Sequence, residues 1–159
     1  MKPFININDI QEYIENENGN FHDRYAGISE GIGAQKLGYS IAIVPPGKKA
    51  CPFHNHRVNE EMFLILKGEG TLRFGDSEFP IKEDDIIACP PGGREVAHQI
   101  INTGNSDLKY LCLSTNVLQD ICEYPDSNKV MSLDRSSQEQ PFRHISKVSE
   151  EIDYFEGED

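Results

Sequence analysis

Between Gly38 and Asn116, apolar and polar positions alternate in short runs that turn-forming residues cut apart. In YSIAIV, Tyr39, Ile41 and Ile43 fall on one side and Ser40, Ala42 and Val44 on the other, the period of an extended strand. β-Branched residues are frequent in it, and Pro45, Pro46 and Gly47 close it with a turn. Met62 to Leu66 is apolar on both faces: Glu61, Phe63 and Ile65 share one, Met62, Leu64 and Leu66 the other. Such a strand is expected to be covered on both sides, by a second layer or a second subunit. TLRF, EFPI, IIAC, HQIIN and LKYLCLSTN follow, separated by Gly, Pro, Asn and Asp turns. Short strands at this spacing predict an all-β antiparallel sandwich or barrel.

The ends read differently. Asn8 is positioned to cap a short N-terminal helix, with Asp9 and Glu12 in its first turn and Ile10, Tyr13 and Ile14 as its apolar face. NENGN (Asn16 to Asn20) is expected to end that helix, and Phe21 to Leu37 to be irregular or to hold short strands. Past Asn116 the chain changes character: EYPDSNKV reads as an ordered crossing segment, SLDRSSQEQP as a polar loop, and the last ten residues carry six acids and no base, the pattern of a solvated tail. The organisation predicted is an N-terminal segment over 1–37, a barrel over 38–116 and an irregular C-terminal extension over 117–159.

The polar residues that interrupt this pattern carry the candidate chemistry. His54 and His56 sit two apart, so an extended strand points both imidazoles one way. Glu61 opens the following strand, and His98 opens another. Three imidazoles and a carboxylate from separate strands suit one divalent ion of borderline softness with open positions; zinc, iron, manganese and nickel all fit. An HxH pair alone is a weak signal. It gains weight from an ordered set around it: Gly47, His54, His56, Glu61 and Gly68, then Asp84, Pro90, Gly92, His98 and Asn102.

That set resembles the two motifs of the cupin superfamily. The first runs from a glycine through HxH and a glutamate to a second glycine; Glu61 rather than Glu60 leaves the family's six residues before Gly68. The second departs from the pattern twice. Asp84 stands where the family has glycine, and five residues, Gly93 to Ala97, separate Gly92 from His98 where two are usual. LGYSIAIVPPGK and EYPDS are similar to small bacterial single-domain cupins of a sugar-phosphate-isomerase-like group. The resemblance implies a double-stranded β-helix, or jelly-roll barrel, with His54, His56, Glu61 and His98 as the metal ligands. It implies a homodimer as well, consistent with the apolar face Met62, Leu64 and Leu66.

Charge and cysteine content narrow the remaining choices. A formal net charge of −12 disfavours nucleic acid and anionic membranes as partners, since both need clustered Lys and Arg. The four cysteines form no CxxC pair and the start has no secretory h-region, so reduced thiols and a cytoplasmic location are expected. Cys51, an odd number of residues before His54, is expected on the opposite strand face. The function expected is that of a metal-binding protein acting on a small oxygenated molecule, with a sugar-phosphate-type isomerase as the first reading. An iron-dependent dioxygenase and a non-enzymatic ligand-binding or sensing protein are the alternatives. No residue is assigned a catalytic role. Lys48, Lys49, Arg57, Arg73 and Arg94 are the local supply of charge for a phosphate.

Overall fold

The computed structural model describes residues 2–137, 139–150 and 152–158. Thirteen strands dominate it. A six-stranded sheet has the order β1 (Ile14–Asn18), β2 (Phe21–Gly27), β3 (Leu37–Val44), β10 (Leu108–Thr115), β5 (Glu61–Lys67), β8 (Ile86–Cys89). A second sheet runs β7 (Ser77–Lys82), β6 (Glu69–Phe74), β9 (His98–Ile101), and a third runs β13 (Phe142–Lys147), β12 (Lys129–Asp134), β11 (Gln119–Tyr124), β4 (Asn55–His56). Every pairing between strands of these sheets is antiparallel.

The apolar alternation explains how the sheets stack. Ala42, Val44, Phe63, Ile65, Leu108 and Tyr110 of the six-stranded sheet close on Leu72, Ile81 and Ile100 of the three-stranded one in a single core. Ile65 and Leu108 are completely buried. Pro80 lies in β7, an edge strand, where its missing N–H breaks no interior ladder. The second and third sheets meet at the site itself: His54, just before β4, and His98 of β9 exchange backbone hydrogen bonds (His54 N to His98 O 3.1 Å, His98 N to His54 O 2.7 Å). All four cysteines are free thiols, and burial pushes Cys112 up to about 12. Among the described residues no helix is long and apolar enough to cross a membrane.

Three local expectations are corrected. The N-terminal helix shrinks to one 3-10 turn, Ile7–Asp9, capped by Asn6 through the backbone N–H of Asn8. Ile14, assigned to that helix, begins β1 instead, and Asn16 to Asn18 belong to the strand; the turn lies at Gly19, whose φ of 61° suits glycine. Pairing with β2 outweighs a weak local helix preference. The C-terminal extension is likewise less irregular than its composition suggests, since β11, β12 and β13 pair in register through it.

Asp84 keeps the backbone that the motif glycine would have. Its φ is 73°, in the left-handed region that aspartate tolerates better than most residues but glycine occupies freely. Asp84→Gly is therefore expected to preserve the turn into β8 and to raise unfolding free energy by about 1 kcal/mol at most. Denaturant titration checks this; a loss of more than that amount would mean that the Asp84 side chain has a role the turn does not reveal.

Candidate metal centre

His54 precedes β4, His56 lies in β4, Glu61 opens β5 and His98 opens β9. The reversal at Arg57 to Glu60 swings Glu61 back toward the imidazoles. All three imidazole Nε2 atoms approach one carboxylate oxygen, Oε2 of Glu61: His98 at 3.0 Å, His56 at 3.4 Å and His54 at 3.6 Å. The side chains are 3% exposed at His98, 12% at His54 and 19% at His56 and Glu61, so water is largely kept out. Glu60 is exposed and lies outside this cluster; its N–H donates to the Thr115 hydroxyl.

The opposite nitrogens face outward. His54 Nδ1 meets the Pro52 carbonyl at 2.9 Å, His98 Nδ1 the Val96 carbonyl at 3.2 Å, and His56 Nδ1 the Asp120 carboxylate at 2.6 Å. Each of these partners accepts only, so each Nδ1 carries its proton outward. A neutral imidazole then turns an Nε2 lone pair inward, against a carboxylate oxygen. Four lone-pair donors converging on one spot need a cation between them, a metal ion or protons. The donor set fits a divalent ion, and His54, Glu61 and His98 offer ligand atoms all within 4.8 Å of one another.

In the chain by itself, protons do this work. Burial opposes charge on His54, but the neighbouring Cys51 sulfur and the Glu61 carboxylate raise its pKa well above the ordinary histidine range. His56 is also raised: burial opposes, and Glu61 overrules it. Burial resists ionisation of Glu61, yet hydrogen bonds from the three imidazoles hold it far below the usual carboxylate range. Stability drawn from the histidines is complete below their unfolded pKa and is lost as pH rises through the raised folded values. Stability drawn from Glu61 is present above the ordinary carboxylate range and is lost only in strong acid. The metal-free chain is thus expected to melt at a higher temperature near about pH 5.5 than near about pH 8.5. A flat profile between the two would contradict the proton-filled centre.

The surroundings differ from expectation in several places. Cys51 lines the same cavity as His54, because residues 51–53 form a bend rather than a strand and face parity does not carry through it. The lengthened Gly93–Ala97 loop folds into a 3-10 turn, Arg94–Val96, which absorbs the extra residues while Val96 supplies the carbonyl for His98. Asn102 is fully buried and holds a turn, donating to the Val44 and Ser106 carbonyls and accepting from Gly104 N–H. Phe63 lines the cavity beside Glu61, whereas Ile65 and Ile100 are spent in the core.

Asp120 was not legible as part of the site. It lies in β11, within the C-terminal extension, with its side chain 3% exposed, and it accepts from His56 Nδ1, Val58 N–H, Asn59 Nδ2 and Ile121 N–H. Burial alone would raise its pKa; Asn59 and His56 bring it below the ordinary value. The signal available was Asp120, Cys122 and Tyr124 at alternate positions of one strand. Cys122 places its sulfur within 4.8 Å of ligand atoms of His54 and His56, and the Tyr124 ring stacks on His54 with centroids 6.3 Å apart.

Residues 40–114 match the family model of the cupin domain. The chain carries a cupin domain over those residues. The matched cupin region contains both HxH histidines, Glu61 and His98. Among curated relatives, an uncharacterized protein of Methanocaldococcus jannaschii is 41% identical over 79 residues, half of this chain and 60% of that one. The oxalate-binding protein of Thermotoga maritima is 36% identical over 70 residues, 44% of this chain and 54% of that one. The matches therefore span less than two thirds of either relative. A crystal structure from Acidithiobacillus ferrooxidans superposes with a TM-score of 0.84 over 95% of this chain and 96% of that chain. At 21% identity, that likeness establishes a shared fold.

Proposed function

We propose that this chain is a metal-dependent enzyme for isomerisation or a related proton transfer on a small oxygenated molecule, with His54, His56, Glu61 and His98 holding one divalent ion. The observation that carries the reading is the convergence of three outward-protonated imidazoles and a buried carboxylate beside a cavity. A bound divalent ion there would polarise a carbonyl or acidify water. The chain supplies the rest: outward hydrogen bonds hold each ring in place, burial strengthens electrostatic interactions, and the open approach is from the side lined by His54 and Glu61.

Elemental analysis of natively purified protein tests the centre, and a carbonyl-sugar panel followed by proton exchange from solvent tests the chemistry. About one divalent ion per chain with exchange is expected. Oxygen consumption by iron-loaded protein would transfer the reading to a dioxygenase, and tight binding without turnover would transfer it to a sensor. We propose a homodimer too. Leu64 and Met62 pair with Leu111 and Leu113 on the outer face of the six-stranded sheet, beside Ile86, which is 71% exposed. Light scattering is expected to give twice the chain mass; a monomer at micromolar concentration would refute it.

A further inference from the structure

A cavity of about 730 Å3 begins at His54 and Glu61 and crosses the inner face of the six-stranded sheet. The pairing register lays out its floor. Glu61 is opposite Ser114, which is opposite Gly38; Phe63 is opposite Cys112, which is opposite Ser40. Tyr25 is opposite Ala42, and two residues before it on the same face is Asp23, opposite Asn16 at the sheet edge. Asp23 thus stands three strands from Glu61 and, beyond the Arg24–Ile43 pair, further along those strands than the row of Glu61, Ser114 and Gly38, so the two carboxylates lie in different parts of the one cavity.

Asp23 is only 6% exposed, yet it lines this cavity. Its Oδ1 accepts one long bond, 3.3 Å from Asn16 Nδ2; Oδ2 has no partner among the described residues. It forms no ion pair among them either: Arg24, next in sequence, faces away and binds Asp107 at 2.6 Å. The basic residues expected to serve a phosphate do not reach the cavity. Arg57 pairs with Glu123, Arg73 pairs with Asp126 and covers the Phe53 ring, Lys48 binds the Gly19 carbonyl, and Lys49 sits over Phe21. Among the described residues Arg135 is the only lysine or arginine lining the cavity, and it is exposed beside Asn116.

We propose that this cavity takes an unphosphorylated sugar or amino sugar whose end remote from His54 and Glu61 donates hydrogen bonds to Asp23. The near end rests on the metal-centre reading given above. A buried carboxylate with a free oxygen accepts from a hydroxyl or ammonium group and repels a phosphate. Because Glu61 and Asp23 line different parts of the cavity, a two-carbon diacid such as oxalate would touch one of them only.

The test is calorimetric titration of metal-loaded, full-length protein with D-ribose, D-glucose, D-glucosamine and the phosphate ester of each. Every free sugar that binds is expected to bind about ten- to a hundredfold more tightly than its ester, and Asp23→Asn to remove most of that gap. Tighter binding of the esters to the wild type, an unchanged preference in a folded Asp23→Asn, or no binding of any compound at millimolar concentration would overturn the proposal. Should Asp23→Asn not fold, the wild-type comparison decides. Metal content measured on every sample separates the two readings: a metal-free chain refutes the centre, whereas a metal-loaded chain preferring phosphate refutes only the role of Asp23.

Discussion

Glu61→Gln is expected to weaken divalent-metal binding by more than about a hundredfold while leaving the barrel folded. The amide has the size of the carboxylate but not its charge, and Glu61 is the acidic group that all three Nε2 atoms approach. Loss of an outer hydrogen-bond partner typically costs ten- to a hundredfold in affinity, and loss of a charged ligand costs more. The same substitution should lower the pKa of His54 and His56, because Glu61 is among the groups that raise both. Competition against a chromophoric chelator reads the first effect and proton NMR of the imidazoles the second. Unchanged metal affinity would remove Glu61 from the centre, whatever the histidines do.

Asp120 separates orientation from ligation. Asp120→Ala strips acceptors from the His56 ring, the Val58 and Ile121 amides and the Asn59 side chain at a position that is 3% exposed. Breaking a buried, charge-assisted set of this kind is expected to cost about 3–5 kcal/mol of stability. Asp120→Asn keeps the shape and some of the bonds, so its stability loss should be smaller. It also replaces the charged partner of His56 Nδ1, and metal affinity should fall about ten- to a hundredfold. Chemical denaturation and chelator competition on both variants distinguish the effects. If Asp120→Asn binds metal as the wild type does, the 2.6 Å contact supports the fold alone.

Much of this architecture was readable before any coordinates. The strands from Leu37 to Thr115 follow the period-2 alternation, because a half-buried strand writes its two environments directly into adjacent residues. His54, His56, Glu61 and His98 were singled out by the ordered motif around them, and the structure brings all four side chains together. What stayed hidden depends on distant pairing. Asn8 to Ile14 carries a local helix pattern, but β2 offers Ile14 to Asn18 a strand partner, and that choice is not encoded locally. Asp120 is just another acid in a polar extension until β11 pairs with β4 and brings it to His56. Cys51 was misplaced because a bend at residues 51–53 breaks the parity rule on which its facing was judged.

The pairing of β11 with β4 has a practical corollary for anyone trimming this molecule. A fragment cut to the 40–114 region would retain every proposed ligand and still lose the carboxylate that fixes one of them, together with the neighbouring strand that screens Asn55 and His56. Such a minimal piece would keep the candidate ligands without the posture that aligns them. Expression boundaries, chimaeras and transplanted motifs built from this chain should accordingly run through at least Tyr124.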